Sequence, residues 1–284
     1  MAAKRILLSL FLVIILGLFA CTEEGIFPDP NLEALVRKAI DKPEGGILAS
    51  ELEGLTSLAA SEKGITDLTG LEYCTNLTDL NLWDNQIRDI SPLASLTNLT
   101  HLNVGHNQIR DISPLASLPS LTDLSLHENQ IGDISPLTNL IGLTELWLYD
   151  NQIRDISSLA SLTNLTRLTL SQNQISDISP LTNLISLTEL YLYSNQIRDI
   201  SPLASLTSLT SLDLRKNGIT DISPLASLTN LTTLILERNQ ISDVSPLTSL
   251  SKLESLWLQD NPLSYESVNT VIPQLEERGA KVIR

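Results

Sequence analysis

The sequence predicts an α/β solenoid. It is a curved, right-handed coil with a parallel β-sheet on its concave face, short 3₁₀ turns on its convex face and a helical cap at each end. Three observations predict it. Leu-x-x-Leu openings fall every 22 residues at Leu55, Leu77, Leu99, Leu121, Leu143, Leu165, Leu187, Leu209, Leu231 and Leu253, with no insertion between them. An Asn recurs nine times in the same frame, from Asn85 to Asn261. Helical stripes of apolar residues flank the array on both sides. Self-similarity at a fixed period of this length marks stacked supersecondary units that cannot bury their apolar faces alone.

The unit Leu77 to Asn98 shows what each turn of the coil is made of. Apolar residues stand at Leu77, Leu80, Leu82, Ile87, Ile90, Leu93 and Leu96. Leu80-Asn81-Leu82 has the period of a half-buried strand, so Asp79, Asn81 and Trp83 point to the opposite face. Stacked at about 4.8 Å per strand, nine steps make a slab on the order of 43 Å long. The Asn that follows can donate and accept, which suits the place where the backbone leaves the strand and turns into the core. Asp89-Ile90-Ser91-Pro92 is a helix-start signal, here of a short 3₁₀ turn. Thr69-Gly70 and Ser157-Ser158 lack that Pro, and their turns are expected to be looser.

These motifs resemble the 22-residue class of leucine-rich repeats found in internalins and related bacterial surface proteins. The resemblance spans 55–263 as ten repeats. Residues 29–54, from Asp29-Pro30-Asn31-Leu32, look like the N-terminal helical cap of bacterial members, and 264–284 look like their C-terminal cap. Independently, Leu32, Leu35, Val36, Ala39 and Ile40 form one helical stripe after a cap-and-proline start at Asp29-Pro30. Val268, Val271, Ile272 and Leu275 form another, with Gly279 as its stop and Pro273 as a potential kink. One domain is expected, with a short tether at 21–28.

Residues 1–20 belong to targeting rather than folding. Lys4 and Arg5 precede Ile6 to Ala20, apolar apart from Ser9 and Gly17, a length that suits a signal-peptide core better than a membrane span. The stretch ends in Leu18-Phe19-Ala20-Cys21, similar to the lipobox of bacterial lipoproteins, although Phe19 departs from the residue usual there. That resemblance implies cleavage before Cys21, lipidation of Cys21, and a chain exported and lipid-anchored to a bacterial membrane in the cell envelope. An ordinary secretory signal and an uncleaved anchor are the alternatives. Cys74, the other cysteine, occupies a Leu position of later repeats and reads as a buried hydrophobe. No disulfide is then left. Four Asn-Leu-Thr triplets, at Asn76, Asn98, Asn164 and Asn230, recur because the repeat recurs.

With 33 acidic against 18 basic residues the formal net charge is −15. Such a chain disfavours nucleic acid, and any membrane contact falls to the anchor. Variation concentrates at the third, fifth, seventh and eighth positions of each repeat, on the concave face. All three tryptophans (Trp83, Trp147, Trp257) and all three histidines (His101, His106, His127) are there, with Tyr149, Tyr191 and Tyr193. Rigid rings fill pockets at low entropy cost and are enriched at interfaces. Trp147-Leu-Tyr149 and Tyr191-Leu-Tyr193 lie 44 residues apart in near-identical repeats, so duplication is the competing explanation.

Repeats two to five carry Asp79, Asp84, Asp123, Glu128, Glu145 and Asp150, whereas later repeats carry Arg167, Arg215, Lys216 and Arg238. The first half would steer a cationic partner and the second would pair with carboxylates. On the convex side Arg88, Arg110, Arg154 and Arg198 neighbour an Asp row and read as a self-neutralising edge. Asp84, His106, His127 and Glu128 could converge on one zinc ion, although successive strand positions point apart. No nucleophile elbow, phosphate loop or closed carboxylate pocket is visible, so no enzyme and no cofactor is expected. The expected function is protein recognition by a monomer through Trp83, His101, His127, Trp147, Tyr149, Tyr191, Tyr193, Arg215 and Trp257. Envelope glycan binding by the same rings and a purely structural role are the alternatives.

Overall fold

A computed structural model describes residues 25–284. The segment read as a signal peptide, 1–20, and Cys21 lie outside the described residues. Strands of three residues recur once per unit: β1 (Ser57–Ala59), β2 (Asp79–Asn81), β3 (His101–Asn103), β4 (Asp123–Ser125), β5 (Glu145–Trp147) and β6 (Arg167–Thr169). They continue as β7 (Glu189–Tyr191), β8 (Ser211–Asp213), β9 (Thr233–Ile235), β10 (Ser255–Trp257) and β11 (Lys281–Ile283). All pair in parallel in chain order, as one sheet. From β1 to β10 the register equals the sequence period, so each central Leu faces the next: Leu80 on Leu102, Leu102 on Leu124, Leu124 on Leu146. β11 was not expected from the repeat. It closes the array by setting Val282 on Leu256.

The Leu and Ile positions of every coil are buried in one continuous core. The Asn column links coil to coil inside it. Asn151 donates through Nδ2 to the carbonyls of Leu126 (3.0 Å) and Leu148 (3.2 Å), and its Oδ1 accepts the Ile131 amide at 3.0 Å. Each Asn thus satisfies buried backbone groups in its own coil and in the one before.

On the convex side, Ser91–Ser95 and its counterparts are 3₁₀ turns. Asp89 does not cap its turn in the expected way. The cap position is Ile90, which is buried, and the Asp89 carboxylate accepts the Ser91 amide at 2.8 Å, closing an Asx turn one residue earlier. The same bond survives at Asp155–Ser157, also 2.8 Å, and the proline-free Ser157–Ser161 turn keeps its full five residues. Arg88, Arg110 and Arg154 do not pair with the Asp row as expected. Each donates to a Gln of the next coil, Gln108, Gln130 and Gln174, because the Asp carboxylates are turned toward the Ser amides.

Helix α1 (Pro30–Ala39) covers the first coil, with Leu32 and Val36 fully buried and Ala39 left exposed. Asp29 ties it down. Its Oδ1 accepts the Asn31 and Leu32 amides, and its Oδ2 accepts the Thr66 amide and hydroxyl and the Asp67 amide. Burial pushes this carboxyl up, but the four amides together outweigh it and hold it below the usual carboxylate range. Phe27, within the segment read as a tether, is buried, and its ring lies against Gly70, where φ is +102° and a Cβ would collide. The packed fold therefore reaches back past Asp29. A one-turn helix, α2 (Ala49–Leu52), follows.

At the other end the expected kink is a π-turn, Ser267–Val271, running into α3 (Ile272–Glu277). Pro273 has no N–H, and its ring crowds the carbonyl four residues back, so the turn before it widens instead. Cys74 is free and fully buried, and burial first, then Glu72, pushes its thiol up to about 11. No helix among the described residues is long and apolar enough to cross a membrane.

Candidate functional site

The outward columns of the sheet bring together residues 22 apart in sequence. In the third column Asp79, His101, Asp123, Glu145, Arg167 and Glu189 stand side by side across β2 to β7. His101 is exposed, its Nδ1 2.9 Å from the Thr100 hydroxyl. Burial, then Glu145, raises the Asp123 carboxyl. Arg167 lies between two acids, 3.6 Å from Glu145 and 2.9 Å from Glu189, and holds Glu189 below its ordinary range.

The eighth column has an unusual backbone. Every residue from Glu62 to Asp260 in this column has φ between 52° and 59°, the left-handed region, and none is Gly. Left-handed backbone costs an L-residue about 1–2 kcal/mol. The penalty recurs once per coil because the chain must turn there into the Asn.

His106 stands between Asp84, 2.9 Å from its Nδ1, and Glu128, 3.8 Å from its Nε2. Its ring also lies 6.2 Å from Trp83. His127 does not join them. It lies over Gly105, where any Cβ would strike its ring, and stacks on Tyr149 at 4.5 Å and 15°. Its Nδ1 is 2.6 Å from the Ser125 hydroxyl. Burial lowers its pKa, Glu128 opposes that, and His106 adds to it. The four residues considered for zinc are thus split three and one. Among the described residues no group of three or more His, Cys, Asp or Glu side chains is arranged to hold a metal ion.

The rings are half-buried rather than free: Trp83, Trp147, Tyr149, Tyr191, Tyr193 and Trp257 all fall in that class. Burial, then Glu128, pushes the Tyr149 hydroxyl up to about 12. The Tyr191 hydroxyl donates to Glu189 at 3.0 Å and that of Tyr193 to Gln172 at 2.8 Å. Trp257 is flanked by Ile235 and Ile283 of β9 and β11. Arg215, expected to offer a free cation, does not. Its guanidinium lies 4.7 Å over the Tyr193 ring, and its Nε is 3.0 Å from Asp213. Arg238 is likewise held by Glu237 and Asp260. The basic half of the face is therefore largely neutralised internally, whereas repeats two to four interleave their acids only with histidines and Glu145 of repeat five meets Arg167.

One feature escaped the sequence reading. The buried side-chain polar atoms without a partner, among the described residues, are Ser158 Oγ, Arg167 Nε, Thr169 Oγ1, Ser171 Oγ and Gln259 Oε1. Three of the five belong to β6 and the two residues after it. Thr169 sits between Trp147 and Tyr191 in the register. Ser171 follows two residues on, between the coils of Tyr149 and Tyr193: its carbonyl accepts the Asp150 amide at 3.0 Å, and the Gln172 amide donates to the Tyr193 carbonyl at 2.8 Å. A buried hydroxyl without a partner costs about 1–3 kcal/mol. Two small residues inside columns of aromatics were the available signal.

An open parallel sheet one strand per unit, a buried Asn column and a curved outward face define a repeat-built recognition scaffold, and the family comparison agrees. The chain matches the family described as "Leucine Rich repeats (2 copies)" over residues 53–95, 97–139, 141–183, 185–227 and 229–270. It belongs to the leucine-rich repeat family. Among solved structures it is similar to an internalin of Listeria monocytogenes at 37% identity, with 91% of this chain and 89% of that one covered and a TM-score of 0.60. A second internalin of the same organism shares 44% identity over 74% of this chain and 94% of that one, at a TM-score of 0.72. The protein is thus a bacterial, internalin-like leucine-rich repeat protein. The plant peptide hormone receptor RGFR1, solved in complex with RGF2, shares 27% identity at a TM-score of 0.61. That match spans 68% of this chain and 33% of the receptor. No curated protein matches the sequence.

Proposed function

We propose that this chain recognises a protein partner through the concave sheet face, as a non-enzymatic module held at the bacterial cell envelope. The observation that carries the reading is the set of six half-buried rings in the outward columns, on a scaffold whose core does not need them. Trp83, Trp147, Tyr149, Tyr191, Tyr193 and Trp257 act as anchors, with His101, His127 and Arg215 among them. The plant relative in complex with RGF2 supports a peptide or protein partner for this architecture. The acidic and histidine-bearing surface of repeats two to five favours a basic partner segment.

Crosslinking the protein in its own cells identifies the partner. Trp147→Ala with Tyr191→Ala is expected to weaken its capture about a hundredfold while leaving the fold intact. Equal capture by the double variant removes the concave face from the account. For the anchor, Cys21→Ala is expected to abolish fatty-acid labelling and release the protein from membranes. Unchanged membrane association would instead point to an uncleaved span.

A further inference from the structure

The geometry around β6 points to a second ligand class: we propose that Thr169 and Ser171 form the floor of a subsite for one ring of a neutral saccharide. The walls are Trp147 and Tyr149 on one side, Tyr191 and Tyr193 on the other. This subsite shares the concave face and four of its rings with the protein-recognition reading, and adds to them only the Thr169 and Ser171 hydroxyls.

The fold does not need either hydroxyl. Val at 169 and Ala at 171 would fill the same space without a buried hydroxyl, and an apolar pair is the better choice for stability when no partner exists. Thr169 is 9% exposed and Ser171 1%, and neither hydroxyl has a partner. Thr169 ends β6 and Ser171 follows two residues later, each between aromatic residues of the neighbouring coils. A hydroxyl donates and accepts at once, so its natural complement is another hydroxyl-bearing group. A pyranose offers such an edge together with an apolar C–H face that stacks on a ring.

Size and charge narrow the class. β5 and β7 are two strand spacings apart, about 9.6 Å. A ring stacked between two walls needs about 7–8 Å, whereas a helix with its side chains needs about 10 Å or more. A cationic group finds Glu145 and Glu189 already bridged by Arg167, with only Glu128 and Asp150 left to pair with at the edge of the walls. An anionic sugar meets Glu128, Asp150 and a chain of net charge −15. A neutral ring suffers neither conflict. The floor is covered in this structure, so a sugar reaches it only if the Tyr149 ring leaves its stack on His127 and the Tyr193 hydroxyl leaves Gln172.

The test uses the full chain in detergent with three probes, maltohexaose, cellohexaose and chitohexaose, and dextran sulfate as a polyanion. Titration is followed by tryptophan fluorescence and calorimetry. At least one neutral probe is expected to bind saturably in the millimolar range or tighter, and dextran sulfate not at all. Thr169→Val with Ser171→Ala is expected to weaken that binding about tenfold, the effect of losing two hydrogen bonds, with a melting temperature unchanged or raised. No saturable binding by any neutral probe, or equal binding by the double variant, overturns the subsite. If the double variant instead loses capture of a protein partner while no sugar binds, the floor serves protein recognition and the saccharide assignment fails alone.

Discussion

Two columns of the same coil, two residues apart, behave oppositely. The ninth position points inward and is Asn in every full repeat after the first, each one bonded to backbone groups of two coils. The seventh points outward and runs Trp83, Gly105, His127, Tyr149, Ser171, Tyr193, Arg215, with neighbours meeting by stacking, collision-free contact or cation–π geometry. Inside, any departure leaves a buried carbonyl or amide unpaired. Outside, water can replace a lost partner, so the column is free to vary. Constancy in this chain therefore measures backbone satisfaction, and recognition has to be sought where constancy stops.

The sharpest way to break that contrast is to cut the inner column at its centre. Asn151→Ala removes the partner of the Ile131 amide and of the Leu126 and Leu148 carbonyls. A loss of about 3–5 kcal/mol is expected in urea unfolding. A loss under about 1 kcal/mol would mean that water enters the coil and the column is not structural.

Asp29→Ala is expected to cost about 2–3 kcal/mol, since it removes a helix cap and the tie to Thr66 and Asp67. Its folded pKa is depressed, so the stabilisation is present above the free value of about 3.9 and is lost as pH falls through the folded value. The variant should therefore lose less than the wild type on acidification below about pH 4, read as the change in melting temperature.

The outer column should answer more weakly. Trp147→Ala with Tyr191→Ala is expected to change stability by about 1–2 kcal/mol, because both rings keep water contact. A larger loss would make these rings core rather than interface.

Lys216→Gly relieves a left-handed backbone at φ 54° and should stabilise by about 0.5–1 kcal/mol. Destabilisation would show that the long side chain contributes packing there.

The smallest effect belongs to His127, whose pKa is lowered chiefly by burial. Its neutral form is favoured in the fold, so its contribution is complete above about pH 6.5 and declines as pH falls through the folded value. His127→Gln should show a shallower fall in melting temperature between about pH 7 and 5. An identical slope would place the titration elsewhere.

Much of the scaffold was legible in the sequence. Leu spacing announced the strands, the Asn column its own bonds, and Asp29-Pro30 the start of α1. β11 was hidden because Lys281-Val282-Ile283 is too short to show a period and follows a helix rather than a repeat. Phe27 was hidden because its partner, Gly70, lies far along the chain. At the face, the columns were foreseen but their pairings were not. The convex arginines took Gln rather than Asp, Arg215 was already spent on Asp213 and Tyr193, and the orphaned hydroxyls of Thr169 and Ser171 had no signature beyond being small.

Register, core and the inward or outward aim of each side chain follow from the repeat alone. A fixed period of 22 residues sets every coil in the same frame, and alternation within a strand decides inside from outside. Which outward side chains touch is settled only once the coils are stacked. Their neighbours lie a full coil away, and each rotamer is chosen by the bulk and charge of the residue beside it. His127 folds over Gly105 because there is no Cβ to stop it, and Arg167 settles between Glu145 and Glu189 because both lie within its reach.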